Sequence, residues 1–241
     1  MKKQLVLTAV LALVMVPGLV FAQCGQQGPD TVDGADTLAA ALGLDAGVPL
    51  WVCGSTGPGE EAIILDAYRA LLDSGVAIIL AVVPRKPERF DQVARLIRQR
   101  SFDCIRRTDR PKGCPTKPGQ VVLGDTMGEL RKFYALATVV FVGRSMVPLG
   151  GSDPMEAAAL AKPILVGPHM GNFAMPVTCL RRCNALVEVT SVQELANAVR
   201  NVCSDPEAAR RAGAAARNVV SENQGATDAT VEALARLIDD G

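Results

Sequence analysis

Histidine is almost missing from this sequence: His169 is the only one in 241 residues. Metal centres built from two or three histidines are therefore nearly excluded, and no metal site is expected. Net charge is missing too. Lys and Arg number 25, Asp and Glu 25, so nucleic-acid binding by bulk electrostatics is not expected. The sequence has no C-x-x-C pair, no internal repeat, no low-complexity tract and no turn-rich linker. Its seven cysteines (Cys24, Cys53, Cys104, Cys114, Cys179, Cys183, Cys203) are odd in number. Cys53 and Cys104 fall in apolar runs, where an unpaired cysteine behaves as a small buried hydrophobe. Free thiols in a reducing compartment are expected over a disulfide framework. What is present is a 49% hydrophobic composition, enough for one substantial core. One domain over residues 30–241 is the expectation.

Residues 1–28 read as a separate object. Lys2 and Lys3 precede an apolar run from Leu5 to Ala22, broken only by Thr8 and Pro17-Gly18. Val20-Phe21-Ala22 fits the small-residue cleavage pattern of a secretory signal. Gln23 stands where a lipoprotein signal before Cys24 would need a small residue. At about 18 residues the run is also just long enough for a membrane anchor. Cleaved signal and retained anchor both satisfy the pattern.

Beyond residue 36, apolar runs alternate with helical periodicity. Strands are expected at 49–54, 76–83, 102–105, 121–124, 138–142, 163–167 and 185–189. Helices are expected at 59–73, 87–100, 127–137, 154–161 and 173–182, with a loop at 108–119. The continuous apolar run Val76–Val83 marks a strand buried on both faces. The alternation implies an α/β fold, a Rossmann-like parallel sheet with helices on both faces, ending in a helical C-terminal tail. In that tail Ser191-x-x-Glu194 and Ser204-x-x-Glu207 read as capping boxes, and Gly225 is expected to separate a final helix, Val231–Ile238.

Ligands of such sheets bind beyond the carboxyl ends of the strands, so the strand-to-helix loops are where function should sit. The first, Gly54-Ser55-Thr56-Gly57-Pro58-Gly59-Glu60-Glu61, can offer N–H groups to an anion at a helix start, or can be a glycine turn capped by Ser55 or Thr56. It lacks the Lys of a phosphate-binding Walker loop. Gly57-x-Gly59-x-x-Ala62 formally fits a dinucleotide fingerprint, although Pro58 removes an N–H and no acid ends the second strand. That strand ends in Pro84-Arg85-Lys86, where a phosphate could be met. Residues 84–112 hold ten basic side chains against four acidic ones, expected mostly on a solvated helix face. Thr126-x-x-Glu129 and Asp153-x-x-Glu156 read as capping boxes, with Pro154 at a first helical position. Each also follows a strand and a glycine, so either glutamate could accept from ribose hydroxyls at the same rim as Arg85. His169 ends a strand as well, as a rim residue or a ligand.

These loops carry a family resemblance. Gly54-Ser55-Thr56 with Pro58-Gly59-Glu60-Glu61, Val83-Pro84-Arg85-Lys86-Pro87-Glu88-Arg89-Phe90, and Leu123-Gly124-Asp125-Thr126-Met127-Gly128-Glu129-Leu130 are similar to 3-deoxy-D-manno-octulosonic acid (Kdo) transferases. So are Phe141-Val142-Gly143-Arg144-Ser145, Gly150-Gly151-Ser152-Asp153-Pro154-Met155-Glu156 and Gly167-Pro168-His169-Met170-Gly171-Asn172-Phe173. The motifs run in family order across about residues 35–235. They resemble the C-terminal, nucleotide-sugar-binding half of these GT-B glycosyltransferases.

The resemblance implies a donor site for CMP-Kdo. Pro84 and Arg85 would contact CMP, with Arg85 on the phosphate; Met127, Gly128 and Glu129 would line the nucleotide; Asp153, Pro154, Met155 and Glu156 would hold the nucleoside. Ser55, Thr56, Lys86 and His169 are further candidates. The family has Asn where this chain has Asp153, an acceptor only when ionised. It has His where Lys86 stands, which keeps positive charge and loses an acceptor. Transfer to a lipid A precursor would be direct displacement at the anomeric carbon, with no metal and no cofactor. The family's catalytic Glu belongs to its N-terminal half, so no catalytic residue is assigned here, and a separate acceptor-domain chain is an expected partner. CMP-sugars are cytoplasmic, so residues 1–28 are expected to anchor the protein at the cytoplasmic face of the inner membrane, export after cleavage being the alternative. Other readings are a non-catalytic or truncated nucleotide-sugar-binding module and an NAD(P)-binding oxidoreductase domain.

Overall fold

A computed structural model describes residues 32–109 and 114–239, with side chains through residue 222. The leader-like segment, Cys24, Arg110 and Lys112 lie outside the described residues.

Seven strands form one parallel sheet in the order β3-β4-β2-β1-β5-β6-β7. They are β1 (Leu50–Thr56), β2 (Ile79–Pro84), β3 (Asp103–Arg106), β4 (Gln120–Leu123), β5 (Val139–Val142), β6 (Ile164–Val166) and β7 (Leu186–Glu188). β2 and β5 are buried throughout and β1 nearly so, which is why their sequences are apolar rather than alternating. The chain runs outward from β1 to β3 and β4, then crosses back to β5 beside β1. That reversal opens a crevice at the carboxyl ends of β1 and β5.

Helices cover both faces. On one, Val52, Ala81, Val140 and Ile164 meet α1 (Ala35–Leu42), α4 (Leu130–Leu136), α5 (Met155–Ala159), α6 (Ala174–Arg182) and α8 (Pro206–Asp239) through Leu38, Phe133, Ala157, Leu180 and Val219. On the other, Trp51, Leu80, Val82 and Phe141 meet α2 (Glu60–Asp73), α3 (Phe90–Gln99) and α7 (Val192–Ser204) through Ile64, Tyr68, Val93 and Leu195.

Several expectations need correction. Gly225 does not divide the tail, because α8 runs unbroken from Pro206 to Asp239. A mid-helix glycine costs only about 1 kcal/mol, too little to end a long helix. Ser204 is not a cap. It lies in the last turn of α7, where its hydroxyl donates to the Asn201 carbonyl (3.1 Å), and Asp205 caps α8 by accepting from Ala208 N–H (2.9 Å). Ser191 does cap α7, accepting from Glu194 N–H (3.2 Å), but Glu194 reaches the N–H of Thr190 rather than that of Ser191. α4 begins at Leu130, three residues later than expected, after Gly128 turns with φ 80°.

The basic stretch is a solvated face only in part: Arg85, Lys86, Arg95 and Arg98 are exposed, and the other described basic residues are paired. Arg89 is buried on Glu61, Arg106 binds Asp91 and Asp125, Arg107 binds Glu129, and Arg100 binds Asp66. Much of its excess charge is neutralised by acids distant in sequence.

α8 crosses the end of α5 so closely that a Cβ on Gly213 would lie 1.9 Å from the Ala161 carbonyl oxygen. Helix propensity alone would make Gly213→Ala stabilising by about 1 kcal/mol. Overpacking against backbone should reverse the sign, with a net loss of about 1–3 kcal/mol in urea unfolding.

Candidate functional site

Five loops meet at the carboxyl edge of the sheet: 57–59 after β1, 85–86 after β2, 124–129 after β4, 143–154 after β5 and 167–170 after β6. Two of them, 57–59 and 143–154, are joined by Glu60, the first residue of α2, which is fully buried. Its Oε1 accepts from the N–H groups of Ser145 (2.8 Å) and Met146 (2.9 Å). Its Oε2 accepts from Arg144 N–H (2.6 Å) and Gly57 N–H (3.2 Å). Burial pushes this carboxyl's pKa up, and the donated N–H groups oppose that. The loops approach so tightly that a Cβ on Gly143 would sit 2.7 Å from the Thr56 Cα.

Next to Glu60, Glu61 forms a buried bidentate pair with Arg89 (2.6 and 2.9 Å) and accepts from the Thr56 hydroxyl (2.8 Å). Thr56 is thus spent on a carboxylate and does not cap α2. Ser55 sits beside it in the left-handed region, φ 55°. The N–H of Gly57, which the dinucleotide fingerprint would aim at a phosphate, instead serves Glu60.

The remaining candidates divide into two groups. Arg85, Asp153 and Glu156 are brought together. Asp153 accepts from Met155 N–H (2.8 Å) and turns the chain into α5, while Pro154 and Met155 are buried beneath. Glu156, one turn on, feels Asp153 as a like charge and Arg131 and Arg85 as opposite ones. Burial pushes both carboxyls above their ordinary range. Pro84 closes β2 in the interior, and the Arg85 N–H is held by the Thr56 carbonyl (3.2 Å), leaving the side chain exposed.

The other candidates stand on loops of the same carboxyl edge, each with partners of its own or open to solvent. Glu129 does not close its own helix, because its carboxylate is taken by Arg107 (3.2 and 3.3 Å) and by the Thr126 hydroxyl. Gly128 forms the turn before it, and Met127 stands 66% exposed. Lys86 is exposed and pairs with Glu88 at 3.5 Å. His169 is exposed, and its N–H donates to the Ser145 carbonyl (2.9 Å).

Sequence reasoning assigned no role to three residues of this rim. Glu60 was visible only as an acid at a helix start, which the helix dipole already explains. Arg131 is half-buried and makes no hydrogen bond or ion pair among the described residues, yet its charge reaches Glu156. Tyr134 is buried, its hydroxyl unpartnered among the described residues and wedged against Gly54. It falls in the expected helix 127–137, and nothing in that pattern tells where its hydroxyl ends. Among the described residues no three His, Cys, Asp or Glu side chains converge as metal ligands do.

No family model matches the chain. It is 38% identical over 192 residues to a 3-deoxy-D-manno-octulosonic acid transferase of Haemophilus influenzae, covering 79% of this chain and 43% of that protein. A 3-deoxy-D-manno-octulosonic acid transferase of Bordetella pertussis is 31% identical over 191 residues, 78% of this chain and 44% of its own. Among solved structures, the fold matches the C-terminal CMP-Kdo binding domain of WaaA from Acinetobacter baumannii with TM-score 0.70 and 32% identity. That match covers 77% of this chain and 95% of the solved domain. The chain belongs to the Kdo transferase family. It spans less than half the length of the two transferases, 43% and 44%. The sheet and its helices are those of a GT-B-like glycosyltransferase domain. The Kdo-transferase motifs quoted above all fall on the loops at the carboxyl edge.

The raised carboxyl of Glu156 has a stability consequence. A carboxyl whose pKa is higher folded than unfolded contributes stability at low pH that is lost as the pH rises through the folded value. Glu156→Gln should therefore be more stable than the wild type at pH 8, its advantage shrinking towards pH 4, in paired urea melts.

Proposed function

We propose that this domain binds CMP-Kdo and presents it for transfer of Kdo to a lipid A precursor in lipopolysaccharide biosynthesis. The observation that carries the reading is the match to a CMP-Kdo binding domain over 95% of that domain. The geometry supports it. Arg85, whose guanidinium makes no hydrogen bond or ion pair among the described residues, suits the CMP phosphate, with Arg131 adding a second positive charge that reaches Glu156. Asp153 and Glu156 offer acceptors to the ribose hydroxyls. Pro84 and Met155, the chain neighbours of these groups, are buried, and Met127 and Gly128 are exposed on the loop after β4.

In this reading the domain's chemical contribution is to the leaving group. As the bond from the anomeric carbon to the phosphate oxygen breaks, negative charge grows on CMP, and fixed cations stabilise it. By family, the base that deprotonates the acceptor hydroxyl belongs to the N-terminal half, so donor binding is the activity proposed for this chain. Acceptor, partner domain and membrane are part of the same proposal. Residues 1–28 would hold the protein at the cytoplasmic face of the inner membrane, where CMP-sugars are made. Among the described residues no helix is long and apolar enough to cross a membrane.

Calorimetric titration with CMP should show one site per chain. Arg85→Ala should weaken it about ten- to a hundredfold, as expected for loss of a charge-assisted hydrogen bond, with Arg85→Lys in between. No binding by the wild type, or none lost in Arg85→Ala, would contradict the donor site. In cell fractionation the protein should remain with the inner membrane; recovery as a processed exported form would contradict the location.

A further inference from the structure

In doubly wound sheets the crevice where strand order reverses usually takes a ligand's phosphate on N–H groups at the start of the first crossover helix. In this protein an anion is already there, supplied by the chain itself. We propose that Glu60 is a positioning residue of the donor site: its buried carboxylate is an internal anion that holds loop 143–152 in the shape in which Asp153 and Glu156 meet the nucleoside. The inference rests on the donor-binding reading above.

Gly143 N–H on the Gly54 carbonyl (2.8 Å), the Ser145 hydroxyl on the Val142 carbonyl (2.6 Å) and the Arg144 guanidinium on the Leu149 carbonyl (2.8 Å) also fasten the loop, but its inward N–H groups depend on Glu60. Arg144, Gly150 and Gly151 all lie at positive φ (61°, 82° and 83°), a path that local preference does not favour. Three successive N–H groups, of Arg144, Ser145 and Met146, point inward and would be orphaned without an acceptor. Glu60 satisfies all three and ties them to Gly57 on the β1 side.

From that anchor the order spreads outward. The Arg144 carbonyl accepts from Gly151 N–H (2.9 Å), two residues before Asp153. The Ser145 hydroxyl accepts from Gly167 N–H (2.8 Å), and its carbonyl from His169 N–H (2.9 Å). The Gly150 carbonyl accepts from Asn172 N–H (3.0 Å). One carboxylate therefore sets the shape of two rim loops without touching either donor-site carboxylate.

A glutamine cannot do the same. Each Glu60 oxygen faces two N–H donors, so the amide nitrogen of Gln would oppose one pair of them. The fold does not hang on the same residue. α2 is also fastened by the Glu61–Arg89 pair and by the buried Ile64, Tyr68 and Leu71.

The test compares wild type, Glu60→Gln and Glu60→Ala in CMP calorimetry, with urea melts and far-UV circular dichroism as the measure of folding. Both variants should keep the helical signature and weaken CMP at least about tenfold. Acetate, which replaces the atoms that Glu60→Ala removes, should restore most of the affinity to that variant, while sodium chloride at equal ionic strength should not. Rescue by a carboxylate is not expected if the substitution only loosens the fold. Wild-type affinity in Glu60→Gln, or loss in Glu60→Ala without acetate rescue, would overturn the role of Glu60. Should Glu60→Ala not fold, faster amide exchange at residues 144–146 in Glu60→Gln, alongside its loss of affinity, carries the test, and unchanged exchange there overturns it. A wild type that fails to bind CMP would instead refute the donor reading itself.

Discussion

A charge cannot be buried at the edge of a sheet unless something pays for it, and Glu60 shows how strictly that rule shapes this domain. Its carboxylate lies where two strands diverge, and the only donors within reach are backbone N–H groups of the loops leaving those strands. The loops therefore take the one path that brings those groups together, and glycine stands at 143 because a side chain would strike Thr56. Hydrogen bonds to a buried charge contribute about 1.5–3 kcal/mol each, so four of them compete well with the strain of a left-handed residue at Arg144. The adjoining Glu61–Arg89 pair repeats the theme, closing β1 and the turn before α3 around a second carboxylate.

This arrangement also decides what the crevice can accept. With the start of α2 already neutralised from within, the proposed donor site would draw its cations from Arg85 and Arg131, whose charges both reach Glu156. Asp153 and Glu156 are left as acceptors in a partly buried setting that raises both. In the proposed donor complex a nucleotide would bring an anion for the arginines and hydroxyls for the carboxylates. The substitution of Asp153 for the family's Asn adds a second carboxyl to this cluster, beside which the unpaired Arg131 lies.

The layered fold was legible because the strands are buried on both faces, and continuous apolar runs such as Ile78–Val83 leave little alternative. All seven strands stand near their expected places. The ends of elements were less legible. Ser204 and Gly225 carry the right local chemistry for boundaries, yet Ser204 ends α7 while Asp205 caps α8, and α8 runs past Gly225 because a single glycine costs too little to end a long helix. Glu129 was misread for a related reason: its partner, Arg107, lies 22 residues away, and no local pattern announces it. Glu60 is the extreme case. Three of its four partners lie 84 to 86 residues on, and all four are backbone atoms, which leave no trace in residue type.

The central claim is that the donor's phosphate is held at Arg85 and its ribose at Glu156, with Glu60 occupying the place a phosphate takes in other doubly wound folds. A crystal structure of the domain soaked with CMP tests this most directly. The phosphate should lie within hydrogen-bond distance of Arg85 and the ribose hydroxyls on Glu156, with Glu60 unmoved among its four N–H donors. CMP phosphate bound at residues 57–60, with Glu60 displaced, would contradict it.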